Sequence, residues 1–358
     1  MTEAVASAQP VVRELVHADI AAWTQFLKTH PDANLYHTPV WRDTLAEVFG
    51  HRPLYLLAES DGKVSGVLPL YLVRAPLLGS KLISIPYDIG SGGGLAADQA
   101  SERALVECAI AIARERKVNY LELRYGQPRD FLETMGFQKS EPVLISEMSL
   151  GPEEQVWAQV EKDHRKAVQK AAKRGIEVRE AVTLADFREF ERVQLQVFRD
   201  FGTPPYGANY FPALLRNLQS EGHVKMLLAY VDGGCVGGLV LFGWGKNMVS
   251  KFAACLPHAV PLRAYAALYW RAIQLGIQLG YQRISWGTSS RDQTGLIEFK
   301  ERWGAVTHPA VLYDLPVNGA IPDISRYYDS TGLERRAWRK LPIPVTQWGG
   351  GILSRWFC

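Results

Sequence analysis

The 358-residue chain is short of most features that mark a function at first sight. It holds four cysteines (Cys108, Cys235, Cys255, Cys358), far apart and without metal-ligand spacing, and its eight histidines are scattered. No metal site and no disulfide framework is expected. Cys108 and Cys235 lie in apolar stretches, as core thiols of a reduced cytosolic chain would. No stretch of 18 apolar residues runs free of charge, so nothing is expected to span a membrane. The opening "MTEAVASAQPVVRELVHADIAAW" lacks a basic segment followed by an apolar one, so no signal peptide is expected. A charge excess is missing too. With 40 basic and 37 acidic residues the net charge is +3, and any basic site must be local. No G-x-G-x-x-G follows a strand and no Walker A lysine appears, which argues against dinucleotide and P-loop chemistry. There is no G-x-S-x-G; Ser285 falls within a strand, and Cys255 has only His258 near it in sequence. No convincing serine or cysteine nucleophile is therefore expected.

What is present is an internal repeat. "LYLLAESDGKVSGVLPLYLVR" (54–74) and "VKMLLAYVDGGCVGGLVLFGWG" (224–245) each join two alternating runs through Asp-Gly. That pair is a strong hairpin signal, because the turn needs positive φ. After each hairpin comes a strand (80–86 and 247–255), then an irregular loop and a long helix (about 98–116 and 263–279). A short strand (118–124 and 281–287) and a short glycine-stopped helix (129–137 and 295–305) follow. A final apolar strand comes after Pro142 and after Pro309. Helices near 18–28 and 39–49 stand before the first hairpin, and 153–174 and 183–201 before the second. The order predicts an α/β fold, a mixed sheet with helices on both faces, present twice. Domains are expected at 1–150 and 151–318, with a tail over 319–358.

The element order resembles the acyltransferase fold of the GNAT superfamily in tandem, and tandem GNAT domains of this length resemble the FemAB family. "NLYHTPVWRDTLAEVFG" (34–50), with Trp41 at the helix start, is similar to the opening helix of FemAB-like proteins. "VEKDHRKAVQKAAKRGIEV" (160–178) resembles the basic helix that opens their second domain, and "FKERWG" (299–304) their C-terminal Phe-Lys…Gly signature. With the "KLPIPV" tail, the subgroup it most resembles is the FemAB-like proteins of exosortase (PEP-CTERM) systems, found beside exopolysaccharide genes. The resemblance implies an enzyme that moves an aminoacyl or acyl group to an amine of a cell-envelope, peptidoglycan or exopolysaccharide precursor. A cytoplasmic location is expected, with the inner face of the membrane as the alternative. No tightly bound cofactor is expected. The donor is aminoacyl-tRNA or, on the same chemistry, acyl-CoA; a binding protein that keeps the fold without turnover is the alternative from another class. GNAT enzymes that use acetyl-CoA carry a Q/R-x-x-G-x-G/A turn before the central helix, whose N–H groups hold the pyrophosphate. Here "HAVPLRA" (258–264) has no glycine, and "GSGGG" (90–94) has no arginine or glutamine.

The resemblance gives Lys300 and Phe299 the transfer site. Leu296, Phe299 and Trp303 recur at helical spacing, so Lys300 borders an apolar face that would dock the helix and aim the ammonium into a cleft. A cation aimed at the oxygen of a tetrahedral intermediate is usually the largest catalytic contribution in acyl transfer; the alternative is a surface lysine with its stem on the stripe. Asp88, with Tyr87 in "PYDIG", could accept the proton of the attacking amine, or cap its loop. Trp41, Arg165, Thr203, Tyr206, Tyr210 and Arg291 are the further substrate-binding candidates; Thr203, Tyr206 and Tyr210 share the Pro/Gly-rich loop 202–211. Lys166, Lys170 and Lys173 on the basic helix are candidates for tRNA phosphates or a diphospho-linked, anionic envelope precursor, or else a solvated face. "RRAWRKLPIPVTQWGGGILSRWFC" (335–358) mixes cations with three tryptophans and would suit peripheral membrane contact, or a tail packed on the first domain.

Overall fold

The computed structural model describes residues 9–76, 79–90, 92–322 and 333–356. The first eight residues, Ser91 of the glycine cluster and Cys358 lie outside that range. The first lobe starts with β1 (Val11–Glu14), α1 (Ile20–Thr29) and α2 (Pro39–Phe49). Strands β2 (Arg52–Pro53), β3 (Leu56–Ser60), β4 (Lys63–Leu68), β5 (Tyr71–Ala75), β6 (Gly79–Ile83) and β7 (Leu95–Ala96) follow. Then come α3 (Gln99–Glu115), β8 (Tyr120–Tyr125), α4 (Asp130–Thr134) and β9 (Gln138–Ser149). The second lobe runs α5 (Glu153–Gln159), α6 (Lys162–Lys173), β10 (Glu177–Glu180), α7 (Leu184–Phe201) and α8 (Tyr210–Leu214). It continues through β11 (Val224–Val231), β12 (Gly234–Trp244), β13 (Asn247–Cys255), α9 (Ala264–Gln278), β14 (Arg283–Ser290), α10 (Thr294–Glu301) and β15 (Val306–Pro316). Helices α11 (Leu333–Trp338) and α12 (Ile343–Leu353) follow.

Local chemistry accounts for the ends of these elements. Both hairpins turn on two left-handed residues, Asp61 and Gly62 (φ 52° and 72°) and Asp232 and Gly233 (φ 50° and 76°). Such turns match the twist of the flanking strands. Helix α2 starts on Thr38, whose Oγ accepts from the Trp41 N–H at 3.2 Å, and stops at left-handed Gly50. Thr183 and Asp186 form a reciprocal capping box on α7, which Gly202 ends.

Four features depart from the sequence pattern. The run 63–74 splits into β4 and β5 around Pro69, and the two strands join different sheets. The run 153–174 breaks at Val160 and Glu161, both extended, because the Glu161 N–H donates to the Arg302 carbonyl (2.9 Å) beyond α10. By position, α1 and α2 after β1 correspond to α7 and α8 after β10, so α5 and α6 have no counterpart among the described residues. Finally, β9 and β15 run through Pro142 and Pro309 rather than starting after them. Pro142 falls where the β9–β15 register slips between Ala310 and Leu312, so no ladder N–H is missed there.

The sheets join the lobes. A four-stranded sheet has the order β1-β3-β4-β7, and an eleven-stranded one runs β10-β11-β12-β13-β14-β9-β15-β8-β6-β5-β2. The last strand of each repeat is thus lent across the seam: β9 lies between β14 and β15, and β15 between β9 and β8. One apolar core, holding Trp23, Trp41, Tyr55, Phe190, Tyr210 and Phe242, draws on both lobes; two others lie under α3 and under α9.

Candidate active site

Strands β13 and β14 are parallel, but only Asn247–Val249 pair with Arg283–Ser285. Beyond that the strands part, and Ser250, Lys251, Phe252 and Ala253 face Trp286, Gly287 and Thr288 across a cavity of about 1100 Å³. In the first lobe the equivalent gap beside β8 is filled by residues 84–90 and 92–94. The Ser84 N–H donates to Glu122 O (2.9 Å), and Ser84 Oγ accepts from the Arg124 N–H (2.9 Å). A Cβ on Gly93 (φ 96°) would lie 2.6 Å from the Arg124 carbonyl and the Tyr125 ring. The glycine cluster is therefore a close-packed segment rather than a ligand cradle.

Lys300 is buried, 2% exposed, and lines the cavity. Its Nζ donates to Gly287 O (2.9 Å), Thr288 O (3.1 Å) and Ser289 Oγ (2.8 Å). These carbonyls turn inward where the β14–β9 register slips after Ser285 and Gly287 takes φ 71°. No carboxylate pairs with this ammonium among the described residues, and burial lowers its pKa to about 8. Aromatic rings hold α10 in place. Trp303 is fully buried, Phe299 meets Tyr269 edge-on at 5.0 Å, and Tyr269 stacks on Trp286 at 4.4 Å. His164 of α6 packs against Phe299 and Trp303, each at 5.0 Å, so the basic helix supports α10 from behind. Leu296 completes the face at the cavity edge, 39% exposed.

The opposite wall comes from the first lobe. Asp88 lines it, with Oδ2 3.8 Å from Lys251 Nζ and Oδ1 without a hydrogen-bond partner among the described residues. Lys251 also donates to the Tyr87 carbonyl and lies over the Tyr36 and Phe252 rings. Burial lowers its pKa, against the charge of Asp88. Glu122 bridges Lys81 (3.0 Å) and Arg124 (2.7 Å). Burial pushes its carboxyl up, but the two cations hold it below the usual range. Asp314 stands opposite Glu122 across β15 and β8, and burial and that neighbouring charge raise it to about 7.

Of the residues singled out in sequence, Lys300, Phe299, Asp88, Tyr87, Thr203 and Tyr206 line this one cavity. The others do not. Trp41 is a core residue, 1% exposed and 5.3 Å from both Tyr36 and Phe242, because the apolar face of α2 points inward. Tyr210 is buried behind Tyr206, ring to ring at 4.5 Å. Arg165 donates to the carbonyls of Trp157 and Ala158 at the end of α5. Arg291 binds Glu141 at 3.0 Å and ties β14 to β9. Lys166, Lys170 and Lys173 are exposed on α6, outside the cavity, with Lys166 3.3 Å from Asp163.

The tail packs mainly on α7 of the second lobe. Gln347 bonds Glu191, Arg339 bonds the Phe201 carbonyl, and Gly350 lies against Pro205. Arg335, Arg339 and Trp356 reach the cavity. Among the described residues no helix is long and apolar enough to cross a membrane, and no cluster of His, Cys, Asp and Glu could hold a metal ion. Sequence reading missed Lys251, Lys81, Glu122, Arg124 and His164. The available signal was a charge inside an apolar alternation, as in "VSKFAA" and "YLELRY".

Residues 158–301 match the family of acetyltransferase (GNAT) domains, so the match falls on the lobe whose strands part. No curated protein matches the chain. Among solved structures, FemX is similar with a TM-score of 0.71 at 15% identity, over 86% of this chain and 98% of that one. A tandem GNAT protein from the clavulanic acid biosynthesis pathway is similar with a TM-score of 0.56 at 13% identity, over 87% and 100%. L-PGS from Bacillus licheniformis gives 0.55 at 12% identity, over 96% and 98%. The fold is a tandem GNAT, FemAB-like α/β fold.

Proposed function

We propose that the chain is an acyltransferase that moves an aminoacyl or acyl group to an amine of an anionic envelope or exopolysaccharide precursor by direct aminolysis. The observation that carries this reading is Lys300: a buried ammonium on the cavity wall, held by neutral acceptors and neutralised by no carboxylate among the described residues. The amine nitrogen bonds to the donor carbonyl carbon, and the carbonyl oxygen becomes an anion beside Lys300. Ser289 can turn its hydroxyl away and release one N–H to that oxygen. The ammonium formed on the acceptor gives its proton to Asp88, the C–O or C–S bond of the donor breaks, and the proton follows the leaving oxygen or sulfur. Phe299, Tyr269 and Trp286 would flank the acyl chain, with Tyr87, Thr203 and Tyr206 around the acceptor.

The cavity lining has six cationic side chains against two carboxylates, which suits an anionic acceptor. Aminoacyl-tRNA is the proposed donor, with Lys166, Lys170 and Lys173 offered to its phosphates. Pro257 and Pro261 remove two N–H groups from the turn before α9, where a pyrophosphate-holding loop would need them, and this disfavours acyl-CoA. The FemAB-like fold supports the same chemistry. The test supplies labelled aminoacyl-tRNA and labelled acyl-CoA in parallel to the purified protein with an extract of envelope precursors. Transfer from the tRNA is expected, and Lys300→Ala should lose roughly 10²–10³-fold in kcat with its melting curve intact. Equal turnover by the variant would remove Lys300 from the reaction; no transfer from either donor would remove the function.

A further inference from the structure

We propose that a second, smaller pocket beside the cavity is a phosphoryl-binding subsite built by Arg52, Arg74 and Arg355. It holds about 260 Å³ and lies at the outer edge of the long sheet, with Trp356 in its lining. Strand pairing brings two of the arginines together. Arg52 stands opposite Leu72 in the β2–β5 ladder, so Arg74, two residues on, shares its face as a diagonal neighbour. Arg355 arrives from the turn after α12.

Like charges on one sheet face repel unless something negative lies between them. None of these three guanidinium groups has a carboxylate or hydrogen-bond partner among the described residues, although other exposed arginines do. Arg179 pairs with Glu177 (2.7 Å), Arg199 with Asp200 (2.8 Å) and Arg291 with Glu141 (3.0 Å). His51, which also lines the pocket, is buried, and its Nε2 lies 2.6 Å from the Tyr87 hydroxyl. Burial, with the charges of Lys81 and Arg355, lowers its pKa to about 4, so the imidazole is neutral and the positive charge of the pocket comes from the arginines. A carboxylate is satisfied by one guanidinium fork; three arginines lining one pocket suit the several oxygens of a phosphate or diphosphate.

The pocket also adjoins the cavity. Trp356 lines both, and Tyr87, bonded to His51, lines the cavity. A ligand anchored here by its phosphoryl group would extend its remainder towards Asp88 and Lys300. As an acceptor subsite this inference rests on the transferase reading; as an anion site it does not. The phosphoryl group can belong to a soluble molecule or to a lipid headgroup.

Calorimetric titration of the full chain with inorganic pyrophosphate at low salt tests it. Wild type and Lys300→Ala should bind alike, with affinity falling as salt rises. The Arg74→Gln/Arg355→Gln double variant should bind roughly 10²-fold or more weakly, since charged hydrogen bonds contribute about 1.5–3 kcal/mol each. Arg52→Gln alone should weaken binding about tenfold, and Arg74→Lys should keep part of the affinity. Absent binding by wild type, or equal affinity in a folded double variant or in Arg52→Gln, overturns the proposal. Vesicles containing phosphatidylglycerol form a second arm. Vesicle binding lost together with pyrophosphate binding points to a headgroup; vesicle binding unaffected or absent while pyrophosphate binding is lost points to a soluble phosphate.

Discussion

At the scale of single residues, Lys300 is defined by what surrounds it. A lysine that loses water to two carbonyls and one hydroxyl regains hydrogen bonds but no opposite charge, so its pKa falls from 10.5 to about 8. If the charge stabilises an oxyanion, kcat should fall as pH rises through about 8, while the fold persists. Replacement by arginine keeps a cation at every working pH. Lys300→Arg, whatever its absolute rate, should therefore lose the alkaline limb in a pH–rate profile. Retention of that limb would assign the titration to another group. The position was legible in sequence because helical spacing set Lys300 on the margin of the Leu296, Phe299 and Trp303 stripe. Lys251 was not, since an alternating strand does not say which of its faces meets a cavity. Trp41 misled for the opposite reason: an aromatic at a helix start looks the same whether it faces a ligand or the core.

At the scale of elements, the pair β8 and β15 sets two carboxylates face to face. Asp314 lies opposite Glu122, which is already committed to Lys81 and Arg124, so Asp314 holds its proton up to about pH 7. An acid whose folded pKa is raised contributes its stability in full below the unfolded value near 4, and that contribution is lost as pH rises through about 7. Asn resembles the protonated acid and does not titrate. Asp314→Asn should therefore gain stability relative to wild type between pH 5 and pH 8, by about 1–3 kcal/mol at the upper end. Urea melts of both proteins at the two pH values measure it; a difference independent of pH would show that Asp314 titrates normally. Hairpins, helices and their order were readable from turn residues and periodicity. The partners of β9 and β15 were not, because an apolar strand carries no local mark of the neighbour that it will join. Pro142 and Pro309 seemed to delimit these strands, yet a slipped register accommodates the first within the ladder.

At the scale of the whole molecule, the exchange of final strands binds the two repeats into one body. A boundary near 150 separates repeats in sequence, but β9 hydrogen-bonds on one side to β14 and on the other to β15, both from beyond that boundary. The shared aromatic core adds to the connection, with Trp41 of the first lobe against Phe242 of the second. Removing one lobe would strip β14 and β15 of their common neighbour and open two unpaired edges. The cavity depends on the same arrangement, since Asp88 comes from one lobe and Lys300 from the other. Equilibrium unfolding of the full chain should therefore be a single cooperative step, with far-ultraviolet circular dichroism and tryptophan fluorescence tracing coincident curves in urea. Two separated transitions would mean that each repeat folds alone and that the exchanged strands add little to their coupling. A single step, with loss of acceptor binding and of transfer at the same urea concentration, is what a site assembled across the exchanged strands requires.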